Sequence, residues 1–364
     1  MIENVIDTTE NCRFCLMCRH VAPVGLITYQ ETLTPHGIAL TVAAQRRGQI
    51  SWNPESVGVI YSEPDGGNCR AHCVTSQPLP AAIAAVRAEI VSQELAPAAV
   101  TATHDPLSRW SNPYAQEEPQ TPSGSGPVAL FVGDETAYLE PDTLPAVRKL
   151  LAAASVDPVL VGIGRNNGLL ASSLGYPATA QNLIQATLTE IEECGAEKLL
   201  VLSPGDRFAL GQMAEERLGI NWPAGVEMVE VMDVLHAQYD AGQLRFQPMA
   251  LDEPYAYVDP THAVRVPGRF EPVRRLVNAV MPGPGLELFW RRERALPVGS
   301  THLQFSRPEL ADQLTRARLA DARDRGAKRL LCEDSGTLHQ LRRFAGEYAM
   351  HVQNLYVLLA NQLV

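Results

Sequence analysis

Three things are scarce in this 364-residue chain, and each scarcity closes a class of function. Positive charge is the first: 30 Lys and Arg stand against 41 Asp and Glu, a formal net charge of -11 at pH 7. A nucleic-acid binder needs a basic surface to neutralise phosphates, so that class is excluded. Long hydrophobic runs are the second, since no stretch approaches the roughly 20 apolar residues that a membrane-spanning helix requires. The third is a targeting segment: the opening MIENVIDTTENC has no basic start followed by an apolar run, so it does not read as a secretory signal. A cytoplasmic protein is expected, docked to a membrane, if at all, through a partner. What remains is ordinary globular material, 46% hydrophobic and 20% charged, long enough for two or three compact units.

Cysteine is scarce too, except at one end. Cys12, Cys15, Cys18, Cys69 and Cys73 fall in the first fifth of the chain, while Cys194 and Cys332 stand alone. In a reducing compartment, tight clustering points to metal rather than to disulfides.

The first unit is expected over residues 1–100 and is helical. An apolar run from Ile38 to Ala44 leads towards Gly48, and Pro78 and Pro80 open a second helix through Ala81 to Val91, with the cysteines on the loops between. Residues 101–126, rich in Pro, Ser and Gln, read as a linker or surface strap. Beyond them, buried-strand signals (Val128–Val132, Leu199–Leu202) alternate with helical stretches, as in α/β layers with a largely parallel sheet. Residues 127–250 and 251–364 read as two copies of one unit. Cys194-Gly195-Ala196-Glu197-Lys198-Leu199-Leu200 lines up with Arg325-Gly326-Ala327-Lys328-Arg329-Leu330-Leu331, and Leu144–Leu151 echoes Glu271–Val277. The expected fold class is therefore α+β and multidomain: a helical unit followed by two α/β repeats.

The segment Cys12-Arg13-Phe14-Cys15-Leu16-Met17-Cys18-Arg19-His20-Val21-Ala22-Pro23 resembles half of a bacterial two-cluster ferredoxin, C-x2-C-x2-C-x3-C-P, whose fourth cysteine ligates the other cluster. Ala22 stands at that fourth position. In the second half only Cys69 and Cys73 survive, with Glu63 and Gly66 where the first two ligands belong. Crossed ligation then leaves one set complete, Cys12, Cys15, Cys18 and Cys73. The other set, Glu63, Gly66, Cys69 and Ala22, has lost three of its four members. One [4Fe-4S] cluster is expected, with Cys69 a buried orphan thiol; a closed zinc site on the same four thiolates is the alternative. Arg13, Arg19, His20 and His72 lie beside the ligands and can tune a cluster through charge and hydrogen bonds.

Over nearly its whole length the chain is similar to the iron–sulfur subunits related to glycolate oxidase, anaerobic glycerol-3-phosphate dehydrogenase and heterodisulfide reductase. Those join an α-helical ferredoxin-like domain to two cysteine-rich "CCG" repeats. The likeness rests on Asp259-Pro260-Thr261-His262, Gly268-Arg269-Phe270-Glu271-Pro272-Val273-Arg274 and Pro284-Gly285-Leu286-Glu287-Leu288. Where the family has cysteine, this chain has Thr261, Pro297-Val298-Gly299, Ser203-Pro204-Gly205-Asp206 and Asp334-Ser335-Gly336-Thr337, with a looser counterpart inside Val161–Gly168. The repeats are thus expected to keep the CCG fold and to have lost its metal chemistry. The resemblance implies an electron-transfer subunit of a hetero-oligomeric oxidoreductase. It would relay electrons from a flavoprotein dehydrogenase to an electron-transferring flavoprotein or a quinone-linked acceptor. The alternatives are a structural or assembly subunit, or an enzyme with a new site between the repeats.

Three further features are open to two readings each. Gly162-Ile163-Gly164-Arg165-Asn166-Asn167-Gly168 follows a strand but departs from the dinucleotide fingerprint, and reads more simply as a relic ligand loop. Trp290–Arg294 is a solvated basic face or a dock for an acidic partner. His262, His302 and His339 can converge with Asp259 and Asp334, or be scattered polar residues of a cleft.

Overall fold

The computed structural model describes residues 4–12, 15–119, 124–250, 253–266 and 268–364. The chain is a mixed α and β protein, consistent with the expected α+β class.

Its first part is helical. Thr34 caps the helix Pro35–Arg46 by accepting from the Gly37 amide at 3.2 Å, and Asn53 caps Pro54–Ile60 through a reciprocal box with Ser56, each satisfying an amide that the first turn leaves open. The helix Leu79–Ser92 carries Pro80 in its first turn and buries Ile83, Val86 and Ile90 along one face. The linker expected over 101–126 is corrected here, because a helix spans Ala98–Trp110. Its Pro106 removes one backbone hydrogen bond, a loss of about 3 kcal/mol in an ordinary helix interior. Burial of Val100, Thr103 and Leu107 on one stripe offsets that loss. The described residues 111–119 after it are irregular and tied down by Asn112, whose side chain bonds to the backbone of Trp110, Tyr114 and Gln116.

Two small parallel sheets follow. In the first, β1 (Val128–Gly133), β2 (Val159–Ile163), β3 (Lys198–Val201) and β4 (Glu227–Glu230) run in the order β2-β1-β3-β4. In the second, β5 (Tyr255–Tyr257), β6 (Arg329–Cys332) and β7 (His351–Asn354) run β5-β6-β7. A single parallel bridge from Ala256 to Leu286 stands where β2 stands beside β1. The helices Pro177–Cys194 and Pro308–Asp324 lead into β3 and β6, an interior strand of each sheet. The helices Thr143–Ala153 and Phe270–Val280 each follow the first strand, and each packs on the final helix of the opposite unit, Leu355–Asn361 and Val231–Asp240 respectively. That reciprocal packing encloses a core of Val147, Leu150, Leu235, Leu276, Leu355 and Leu359 between the sheets. A second core joins Ile38, Ile60, Tyr61 and Ile83 of the helical part to Phe131 and Val161 of the first sheet.

Candidate metal centre and an acidic cavity

The cysteine-bearing loops meet at one place. Cys12 caps the turn Val5–Asn11, Cys18 opens the turn Arg19–Val21, and Cys73 follows the short helix Asn68–Ala71. Leu16, between them, adopts a left-handed φ of 58° that turns the loop back on itself. Cys12, Cys15, Cys18, Cys69 and Cys73 all line a single concavity of about 510 Å³ including its mouth, closed by Thr8, Leu79 and His36. Cys15 is exposed, Cys12, Cys18 and Cys73 are half-buried, and Cys69 is buried.

Burial, with Cys73 and Cys15 nearby, pushes the Cys12 thiol up. Burial and Cys12 push Cys18 up to about 11. Cys73 moves the other way: burial opposes its ionisation, but the Thr75 hydroxyl and the amides of Thr75, Ser76 and Gln77 outweigh it. Amide donors around a sulfur stabilise the thiolate, the form that binds metal. Burial, with Glu63 beside it, pushes Cys69 far up, so that thiol stays protonated.

The donor set, four thiols on a largely apolar wall, fits a thiolate-held metal group. A single zinc ion would draw all four sulfurs to about 2.3 Å from one point. Among the described residues no three His, Cys, Asp or Glu side chains are arranged to hold one ion.

The neighbours expected to tune the site are placed differently. Arg13 lies outside the described residues. Arg19 pairs with Glu31 at 3.0 Å, and His72 sits 3.1 Å from its own helix carbonyl at Asn68 and edge-on to His20. Two side chains stand against ligand sulfurs: His36, whose Nδ1 is 3.4 Å from Cys12 Sγ, and Thr75, whose hydroxyl is 3.4 Å from Cys73 Sγ; the place of His36 after Pro35, at a helix start, is the one sign of it in the sequence.

Around the depleted ligand set the space is filled by an ion-pair network. Ala22, Glu63 and Cys69 are buried, and a Cβ on Gly66 would collide with Pro297. Gly67, at φ 87°, lies against the Arg265 guanidinium, which leaves no room for a side chain. Arg217 holds the Asp65 carboxylate through two bonds of 2.6 and 2.7 Å. Arg265 donates to the carbonyls of Asp65 and Gly66 and stacks 3.7 Å over Phe208. Burial opposes Asp65 ionisation, but Arg217 and Arg265 hold it far below the usual carboxylate range.

A second cavity, of about 870 Å³ including its mouth, lies where the carboxyl ends of both sheets face each other. Strand ends are where open parallel sheets place ligands. Four of the segments that carry the family resemblance border it: Thr261, Ser203 with Asp206, Asp334 with Ser335, and Asn166 with Asn167. Gly299 of the fifth is followed by Ser300, which also lines it. Asp134 and Glu135, directly after β1, complete its acidic wall. Asp134 accepts from Asn166 at 3.0 Å, Asp206 accepts from Asn167 and Ser203 at 2.9 Å each, and Asp334 accepts from the Thr337 amide at 2.7 Å. Glu135 presses on the amide of Gly336, where any side chain would strike its carboxylate. Burial raises Asp134 to about 6 and, with Asp334 and Asp134 nearby, Asp206 to about 7. Glu135 is pushed well above the usual range by burial and by Asp334, Asp134 and Asp206.

Of the expected histidine constellation, His262, His302 and Asp334 line this cavity. Burial lowers both imidazoles to about 3, so they are neutral; they face the backbone carbonyls of Asp65 and Glu63 at 3.2 and 2.7 Å. Asp259 is drawn away by Arg274, with two bonds of 2.8 Å, and His339 does not line the cavity. In the glycine loop, the Gly162 amide donates to Glu190 at 2.7 Å, so a protein carboxylate holds the position a phosphate would need. Arg291 and Arg292 pair with Glu287 and Glu271.

Neither a protein-family model nor a curated protein matches the chain. Among solved structures, the crystal structure of a hypothetical protein from Helicobacter pylori is similar, with a TM-score of 0.61 at 9% identity. The similarity covers 94% of this chain and 71% of that one, and is a likeness of fold.

Proposed function

We propose that this chain is a single-cluster electron-transfer subunit of an oxidoreductase complex, with one [4Fe-4S] cluster on Cys12, Cys15, Cys18 and Cys73. In this reading the helical part is a ferredoxin-like domain and the two sheets are degenerate CCG repeats. The observation that carries it is the shared cavity: thiols from the first loop and from the segment around helix Asn68–Ala71 line one wall. When bound, such a cluster supplies one-electron transfer. The chain's own residues do the rest. The amides of Thr75, Ser76 and Gln77 stabilise the Cys73 thiolate, Leu79 and Thr8 exclude water from the inner wall, and His36 stands against Cys12.

The mouth of the site suits a partner. Leu16, Met17 and Val74 are 40%, 45% and 65% exposed beside the ligands, an apolar rim of the kind that marks an interaction surface. A flavoprotein dehydrogenase as donor, and an electron-transferring flavoprotein or quinone-linked acceptor, follow from the family resemblance. So does a cytoplasmic, hetero-oligomeric protein peripheral to the membrane through its partners. No helix among the described residues is long and apolar enough to cross a membrane.

Metal analysis tests the ligand set. About four irons per chain are expected, lost on Cys73→Ser and retained on Cys69→Ser; equal losses would overturn the assignment, and zinc in place of iron would overturn the cluster. Redox titration of the intact complex tests the role, because a cluster that substrate cannot reduce would leave only a structural function.

A further inference from the structure

Four carboxyl groups meet in the cavity between the sheets with no cation opposite them. Six acidic residues line it, and two are neutralised from behind. Asp65 is held by Arg217 and Arg265, and Glu333 by Arg269. Asp134, Glu135, Asp206 and Asp334 have no arginine or lysine partner among the described residues, and no arginine or lysine lines the cavity. The two histidines on the wall are neutral. Carboxyls gathered in an interior ionise together only when a counter-charge accompanies them; without one they hold protons, as the raised Asp134, Glu135 and Asp206 do.

A second, separate observation points to a missing partner. Thr261 is 5% exposed and lines the same cavity, yet its hydroxyl has no hydrogen-bond partner among the described residues. Buried hydroxyls are almost always paired.

We propose that this cavity binds a small organic cation, an amine whose ammonium group sits among Asp134, Glu135, Asp206 and Asp334. The ammonium supplies the positive charge that this wall lacks. A hydroxyl or a second N–H of the ligand meets Thr261, and the carbon skeleton lies against Tyr114 and Phe305, whose rings are 6.4 Å apart on one side. The same wall rejects carboxylates and phosphates, since it offers an anion only negative neighbours. A bare metal ion is a poorer match, because among the described residues no three His, Cys, Asp or Glu side chains are arranged to hold one. This inference does not depend on the cluster.

Calorimetric titration of the metal-loaded full chain tests it, using ethanolamine and putrescine as cations, ethylene glycol as the neutral control, glycolate as the anion and Mn²⁺ as the inorganic cation. Saturable binding of an amine with Kd below about 1 mM is expected, with no binding of glycol or glycolate. Asp206→Asn should weaken it about tenfold, and Thr261→Val by severalfold, with iron content unchanged in both. Failure of both amines to bind, glycolate binding as tightly as ethanolamine, or stoichiometric Mn²⁺ that displaces the amine would each overturn the proposal. Loss of iron on Cys73→Ser bears on the cluster alone, so the two readings fail separately.

Discussion

The two cavities of this protein each gather acidic groups in an interior, and do so with different atoms. One wall carries sulfur and the other oxygen. At the cysteine cavity the donors are soft thiols, and the protein's contribution is a ring of amides around Cys73; soft donors select iron–sulfur groups, zinc and copper(I). At the sheet cavity the donors are carboxyls, held apart by Asn166, Asn167 and Ser203, which suits hard or organic cations. Between them lies a third region, Asp65 with Arg217 and Arg265, where charge is balanced inside the protein. A binding site is distinguished here less by the presence of charge than by charge the fold leaves unanswered.

The largest effect should come from unbalancing the balanced region. Arg217→Met removes two bonds from a carboxylate that is 3% exposed. Breaking a buried pair costs about 3–5 kcal/mol, and Arg265 lowers that by remaining in place. Chemical denaturation should show a loss of about 3 kcal/mol. A loss under about 1 kcal/mol would mean that the region is not closed to water.

Next comes the pH response of the acidic wall. The folded-state pKa of Asp206 is raised from 3.8 to about 7, so the folded protein holds that proton more tightly than the unfolded chain. Stability contributed by the protonated group is therefore present below about pH 4 and lost as pH rises towards 7. Asp206→Asn cannot ionise. Relative to the parent it should gain stability across that window and hold the gain above it. The gain should be on the order of 2 kcal/mol, reduced from the full shift because Asp206 is only partly buried. Denaturation midpoints at about pH 4.5 and about pH 8, on the two sides of the window, check this; an equal effect at both would remove the charge argument from the sheet cavity.

These two regions were unequally legible in the sequence. Cys12, Cys15 and Cys18 share one short loop, and crossed ligation pointed to Cys73, so the cysteine set could be read from spacing. Asp134, Asp206 and Asp334 each follow a different parallel strand, and only the reciprocal packing of the two sheets brings them to one wall. Asp206 and Asp334 were visible as replacements for cysteine, while Asp134 and Glu135 carried no sign beyond their place after Val128–Gly133. Residues 101–110, most of helix Ala98–Trp110, read as linker because Pro106 and the polar residues around it hide the spacing of Val100, Thr103 and Leu107. Tertiary burial overrode local propensity there.

The smallest predicted effect separates a binding residue from a packing one. The Thr261 hydroxyl is buried without a partner among the described residues, which costs a folded protein about 1–3 kcal/mol. Thr261→Val keeps the shape and removes the hydroxyl, so the ligand-free variant should be more stable by about 1 kcal/mol. If the hydroxyl serves a ligand, that gain comes with weaker amine binding, and the two effects have opposite sign. A residue that only packs would move stability and leave affinity alone. Thermal denaturation of parent and variant, with and without ethanolamine, gives both quantities in one measurement. The parent should gain more from the amine than the variant does, even though the variant starts higher. Equal shifts would return Thr261 to the core and leave the sheet cavity resting on its carboxylates alone.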